Sequence, residues 1–420
     1  MSSNMSLPNT SSPGVEDRQI LHNQVIDEAG PGTVLDDFEV LLRFIGQEGV
    51  VVGSKNDLLP MKVLPQLNAQ LTHPIEMGLK RPQQKSYPHI NSLYLLLRAT
   101  GLAYVERTRI SGVLRLDDAV LQSWRNLNPT ERYFTLLEAW LLRSRSEVLG
   151  ERDGWLDLPM LKWADFFRKV PARGLTIAGN KDQELLIAYS PGLYTVALLE
   201  LFGFIAVQAS KPEAGKGWRI AWVRRTSFGD AMLQLLSGLL LSDEFFARYD
   251  SEPGVAFGEL QTTVQPFFPE WRQNLTLLEL AFQDGVYIFK VSLGSRVWRR
   301  IALSGRDDFE DLSSAILQAF DFDNDHLYRF TYKNRFGVPV GINHPYMDEP
   351  PFTSEVQVGE IGIKPGTTMT YLFDFGDHWE FELALEGIEP VAPKFGSPRI
   401  LETRGEAPKQ YPAWDDEGDG

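Results

Sequence analysis

Two stretches about a hundred residues apart carry the same pattern, and this near-repeat limits what the first two thirds of the chain can fold into. Residues 95–105 read LLLRATGLAYV and residues 197–207 read ALLELFGFIAV. At an offset of 102, Leu96 matches Leu198, Leu97 matches Leu199, Gly101 matches Gly203 and Val105 matches Val207. Each begins as an apolar helix, stops where glycine supplies a left-handed C-cap, and continues as a β-prone run. The parallel extends beyond both stretches. ERTRISGVLRL turns at Ser111-Gly112 and enters a helical pattern over 117–127; QASKPEAGKGWRIAWV makes a longer hairpin before a helix over 227–241. The order helix, strand, wing, strand, helix predicts tandem winged-helix-like units over 31–150 and 151–265, with a single all-α bundle as the alternative. Between them, Pro129-Thr130-Glu131 opens a helix whose Tyr133, Phe134, Leu136, Leu137, Trp140 and Leu141 recur at core spacing.

The charge pattern on this part bears on partners. Lys80, Arg81, Lys85, Arg98, Arg107, Arg109 and Arg115 face only Glu76 and Glu106 in the same stretch, a local excess of five positive charges. Such a cluster on a recognition helix and first wing is what phosphate contacts require, and it makes nucleic acid one candidate partner. The other is a protein, since winged-helix units also bind proteins. Lys211, Lys216, Arg219, Arg224 and Arg225 add a weaker second cluster. The apolar spacing over 95–143 is similar to the helical accessory region preceding some DNA helicase-like proteins, yet no G-x-x-x-x-G-K-[ST] phosphate loop occurs in the chain.

The last third has another character. Residues 1–265 hold 27 Lys/Arg and 30 Asp/Glu, leaving 14 and 26 for residues 266–420, so most of the net charge of −15 is C-terminal. Prolines at 253, 266 and 269 mark a linker over 254–274, and a separate α+β domain is expected over 275–410. Residues 287–293 and 296–303 alternate as strands about Gly294-Ser295. Asp307 or Asp308 caps a helix with Leu312, Ala315, Ile316, Ala319 and Phe320 on its buried stripe. A strand over 326–332 comes next, then a Gly/Pro-rich surface loop. Two long strands close the domain, with Met369, Tyr371, Phe373 and Phe375 on one face of the first and Trp379, Phe381, Leu383 and Leu385 on one face of the second. The predicted order is ββαβββ, a β-grasp-like sheet covered by one helix.

Several motifs of this domain together resemble the plasmid Ri ORF-three-like family, also labelled the TnpR passenger protein of an insertion element. They are Trp298-Arg299-Arg300, the helix end Gln318-Ala319-Phe320, His326-Leu327 with Phe330, and Asp374-Phe375-Gly376-Asp377 with Trp379. The family's usual histidine two residues after the tryptophan is Phe381 here, and its Cys/Pro-rich ending is only echoed. The label implies recombination, but no resolvase nucleophile domain is present in the sequence.

The DFGD string invites comparison with a kinase metal-binding aspartate, which fails for want of a Gly-rich loop and an H-R-D segment. A structural reading has Gly376 at positive φ in a tight hairpin, with Asp374 and Asp377 bonding turn amides. The chemical reading gathers Asp374, Asp377, His378 and His326 at one sheet end as a hard-metal or acid/base site; a peptide- or ligand-binding groove is a third. Arg299 and Arg300 point to opposite sheet faces, one of them pairing with Asp374 or Glu382. His22, His73, His89 and His344 form no ligand pattern.

Composition sets the outer limits. With no cysteine, disulfides and thiolate chemistry are excluded. No metal or cofactor is expected. The Ser/Pro/Asn-rich start reads as a disordered tail over 1–30, with an acidic tail over 411–420. The longest apolar run, 196–207, is shorter than the roughly 20 residues a membrane span needs. The sequence therefore predicts a cytoplasmic, non-enzymatic adaptor that contacts nucleic acid or a protein partner, with a metal-assisted hydrolase or nuclease at the DFGD end as the alternative.

Overall fold

The structure is a computed structural model and describes residues 13–53, 56–107, 111–151, 158–242, 256–391, 395–396 and 398–411. It is a mixed α+β protein, helical in its N-terminal region, with a large antiparallel sheet at its C-terminal end. The chain separates into two compact units, one running to Val105 and from Ser111 to Leu278, the other made of residues 106–110 and everything from Glu279 onward.

The N-terminal unit contains helices α1 (Val15–Asn23), α2 (Val34–Ile45), strand β1 (Val50–Val52), α3 (Leu64–Asn68), α4 (Pro88–Ala99), β2 (Ala103–Arg107, its last two residues counted with the other unit), β3 (Gly112–Leu116), α5 (Asp118–Arg125) and α6 (Pro129–Glu138). It continues through α7 (Pro159–Lys169), β4 (Leu175–Thr176), α8 (Lys181–Ile187), α9 (Leu193–Leu201), β5 (Ile205–Ala209), β6 (Ile220–Arg225) and α10 (Ser227–Leu240). The near-repeat is structural. Gly101 and Gly203 both take positive φ, 71° and 74°, and end α4 and α9. Each helix leads into a hairpin, and each hairpin gains a third strand from upstream, in the orders β1-β3-β2 and β4-β6-β5. Helices α4 and α9 pack on each other, with Ser92 Oγ donating to the Tyr194 carbonyl at 2.8 Å and His89 Nε2 lying 2.9 Å from Glu200 Oε2.

Three expectations for this unit change. Part of the supposed N-terminal tail is α1, which packs on α10 and buries Leu21; residues 1–12 lie outside the described residues. The supposed linker is core. Leu260, Val264, Phe268 and Trp271 are buried, and the Trp271 ring stacks on Phe134 at 4.8 Å. Its irregular backbone needs acceptors, and two buried carboxylates on α6 provide them. Glu138 accepts from the amides of Gly258 (2.8 Å) and Leu260 (3.3 Å), Glu131 from those of Arg272 (3.1 Å) and Gln273 (2.8 Å). Thirdly, residues 181–201 are long and apolar enough to cross a membrane by length and composition. They are broken at Ser190-Pro191, and the residues from Thr195 to Leu199 are all buried inside the unit.

The C-terminal unit is one seven-stranded sheet with a helix on one face. Its elements are β7 (Val286–Leu293), β8 (Val297–Ser304), α11 (Phe309–Phe320), β9 (Tyr328–Lys333), β10 (Pro339–Asn343), β11 (Thr368–Phe373), β12 (Trp379–Glu389) and β13 (Arg399–Arg404). The order across the sheet is β10-β9-β11-β12-β7-β8-β13, every pair antiparallel. The expected ββαβββ order is present with two more strands. β10 lies in the Gly/Pro-rich stretch read as loop, and β13 lies in the segment after the last expected strand. Asp308 caps α11 through a capping box with Asp311. Alternation holds: Tyr287, Phe289, Val291, Tyr371, Phe373, Phe381, Leu383 and Leu385 form the core beneath Leu312, Ile316 and Phe320. Phe375 departs from the expected face; it sits in the turn, 45% exposed.

Candidate functional site

The DFGD turn joins β11 to β12, whose last pair is Phe373 opposite Trp379. Five residues must reverse the chain, and the left-handed positions are Asp374 (φ 54°) and His378 (φ 59°) rather than Gly376. Aspartate tolerates this region because its side chain bonds the backbone just ahead. Asp374 Oδ1 accepts from the amides of Gly376 (2.8 Å) and Asp377 (3.3 Å), and its carbonyl accepts from the His378 amide at 2.7 Å. A Cβ on Gly376 would stand 3.1 Å from that same Oδ1, a tight contact that the Asp374 side chain would have to yield to.

The other oxygen of Asp374 faces His326, with Oδ2 3.4 Å from Nε2. His326 Nε2 is also 3.1 Å from the Tyr411 hydroxyl and 3.7 Å from Asp325 Oδ1. Tyr411 donates to Asp325 Oδ2 at 2.6 Å. Gln410, buried to 6% exposure, donates to Asp325 Oδ1 (3.1 Å) and Tyr411 (3.0 Å), and accepts from the Asp323 amide at 2.6 Å. The hydrogen bond to Asp325 pushes the Tyr411 hydroxyl up to about 12, and the same bond holds Asp325 below the usual carboxylate range. The corner thus fastens residues 410–411 onto the start of β9.

Of the four sequence candidates for chemistry, the fold brings His326 and Asp374 together. Asp377 and His378 are exposed, His378 lying 3.9 Å from Glu380. No group of three or more His, Asp or Glu suited to a metal ion occurs among the described residues. Gln410 and Tyr411 escape sequence reasoning, because no local pattern ties a terminal Gln-Tyr to a histidine 85 positions upstream.

The Trp298-Arg299-Arg300 motif is also structural in its contacts. Arg299 is 5% exposed and reaches the C-terminal end of α11, donating to the carbonyls of Ala319 (2.7 Å), Arg404 (3.0 Å) and Gly405 (3.2 Å) with its guanidinium over the Phe320 ring. Arg300 points to the opposite face, as alternation predicts. Its partners are Glu386 (2.7 Å) and Glu402, in place of Asp374 or Glu382.

The basic residues divide sharply. All twelve residues of α4 are buried, so the expected recognition helix presents no face to a groove. Arg98 is 3% exposed and donates to the Tyr94 hydroxyl, which removes it from phosphate contact. Arg107 and Arg115 are half-buried on β2 and β3, Arg115 donating to the carbonyl of Glu48 at 3.2 Å. Arg109 lies outside the described residues. Lys80, Arg81 and Lys85 are exposed. The segment carrying them is joined to the second hairpin: Gly78 donates to the Lys216 carbonyl at 2.9 Å and accepts from the Gly215 amide at 2.9 Å. Only glycine fits there, since a Cβ on Gly78 would meet the Glu213 carbonyl oxygen at 1.9 Å. The bridge joins the segments that carry the two basic clusters, about 130 positions apart in sequence; in the second cluster Lys216 pairs with Glu213, and Arg219 with Glu184 and Glu213.

Residues 286–411 match the family model described as plasmid pRiA4b ORF-3-like protein, in agreement with the resemblance carried by the WRR and DFGD motifs. No curated protein matches the chain. Among solved structures, a protein of unknown function from Methanosarcina mazei Go1 is similar at 25% identity over 30% of this chain and 71% of its own, with a TM-score of 0.27.

Proposed function

We propose that this is a cytoplasmic binding protein whose N-terminal unit holds the phosphate backbone of a nucleic acid, while the ORF-3-like unit serves as an adaptor surface. The observation that carries the reading is the Gly78 bridge, which ties the segment bearing Lys80, Arg81 and Lys85 to the hairpin bearing Lys211. Lys80, Arg81, Lys85 and Lys211 are exposed and form no ion pair among the described residues. With α4 buried, base reading by that helix has no support, and contacts of lysine and arginine with phosphates position a protein without specifying sequence. Binding of this kind is independent of sequence and strongly salt-dependent.

The test is fluorescence anisotropy with a labelled mixed-sequence duplex, from about 50 to about 200 mM salt. Measurable affinity at low salt is expected, falling linearly in a log–log plot. The triple variant K80E/R81E/K211E should flatten that slope by about 2 to 3, since each lost phosphate contact removes about one counterion. No affinity at the lowest salt, or a slope unchanged in the triple variant, removes the proposal.

A further inference from the structure

Strand β1 lines a groove of about 550 Å³ together with the end of α2 and the region of α3. β1 is the edge strand of its sheet, and among the described residues no strand pairs with its other side. An open edge offers backbone donors and acceptors to any extended chain that reaches it, and proteins commonly block such edges with charge, proline or a covering element. Here the edge is apolar. Val51, at the centre of the strand, is 52% exposed, and Phe44 forms part of the groove beside it.

The walls have one sign of charge. Arg43 and Lys62 line the groove with Gln66 and Gln70, and no carboxylate among the described residues lines it. Both cations are exposed and form no ion pair among the described residues; Arg43 Nε lies 3.4 Å from the Glu39 carbonyl of its own helix, and its charge also acts on Asp36. An edge strand with no strand on its other side, the Phe44 and Val51 side chains beside it and two cations outside any ion pair fit one kind of occupant. We infer that this groove binds an acidic, extended peptide segment of a partner protein, which adds to β1 as a fourth strand with a branched apolar residue over Val51 and carboxylates toward Arg43 and Lys62. Strand addition supplies main-chain hydrogen bonds for affinity, and the alternate side chains supply selectivity. A nucleic acid has no main-chain donors and acceptors at strand spacing, which favours the peptide. This site is separate from the phosphate surface proposed above and uses none of its residues.

A phage-displayed random decapeptide library selected on the full chain tests the inference. Enriched sequences should alternate acidic and β-branched residues. A labelled peptide from the winning set should bind at least tenfold more weakly to R43E/K62E, and equally well to K80E/R81E/K211E. Binding should also slow amide exchange at residues 50–52, the signature of a strand added to that edge. Selection of basic or non-acidic peptides, indifference to R43E/K62E, or unchanged exchange at 50–52 overturns it. V51D serves as a second variant that leaves both cations in place, and it too should abolish binding.

Discussion

Both units use buried ions to satisfy backbone groups, with carboxylates prominent in one case and a guanidinium in the other. In the N-terminal unit, Glu131 and Glu138 are carboxylates on α6 that accept amides from an irregular segment. In the C-terminal unit, Arg299 is a guanidinium that donates to carbonyls at the end of α11 and of β13. The sign follows from which backbone groups the fold leaves without a partner. In the 256–273 segment the amides of Gly258, Leu260, Arg272 and Gln273 turn toward carboxylates while the Ala256 carbonyl accepts from Arg143; a helix C-terminus exposes only C=O groups and a negative dipole end. Both clasps work because a buried polar backbone group costs more unmade than its bond yields when made.

Removing the cationic clasp should have the largest effect. R299M keeps roughly the volume and removes the donor from four carbonyls, and a loss of about 2–4 kcal/mol is expected in urea denaturation followed at the C-terminal unit. R299K, which retains charge without the guanidinium fork, should recover only part of it. A wild-type midpoint in R299M would show that the carbonyls find water instead.

The anionic clasp should be weaker to break, because one alternative is conservative. E138A should cost about 1–3 kcal/mol and E138Q less, since its one amide oxygen still accepts from one of the two amides. Burial pushes the Glu138 carboxyl up from its ordinary range, against the Gly258 and Leu260 amides that lower it. The folded state therefore holds a proton that the unfolded state has released, and stability falls as pH rises through the interval above the ordinary value of 4.5. E138Q should abolish that slope in pH-dependent denaturation; persistence of the slope would assign it to another group.

The smallest effect is expected at the exposed clasp, Tyr411. Y411F should raise the Asp325 pKa toward the usual range in an NMR titration, because the hydrogen bond that lowers it is lost. In the wild type, the Tyr411 bond contributes below pH 10 and disappears as pH rises through about 12. An unmoved Asp325 would mean that this strap is not held in solution.

Local periodicity made much of this legible. The paired glycines at an offset of 102 announced two left-handed helix ends, and both occur at positive φ. Alternation announced which faces of β7, β11 and β12 enter the core. The DFGD turn was legible as a turn, although aspartate rather than glycine takes the strained position. Proline-rich segments misled twice. Residues 256–274 pack as core and β10 pairs as a strand, because buried partners from elsewhere override weak local preferences.

The sequence by itself determined the elements, their buried faces and the character of the C-terminal domain, since these depend on spacing within a few residues. Tertiary structure alone decided which ions are spent inside and which remain at the surface. Arg98 and Arg81 belong to one basic cluster in the sequence, yet one is buried and the other exposed. The same holds for the Gly78 bridge, the Arg299 clasp and the Tyr411 strap, each joining residues roughly 20 to 140 positions apart. Such contacts are fixed by the packing of whole elements, and a local pattern carries no record of them.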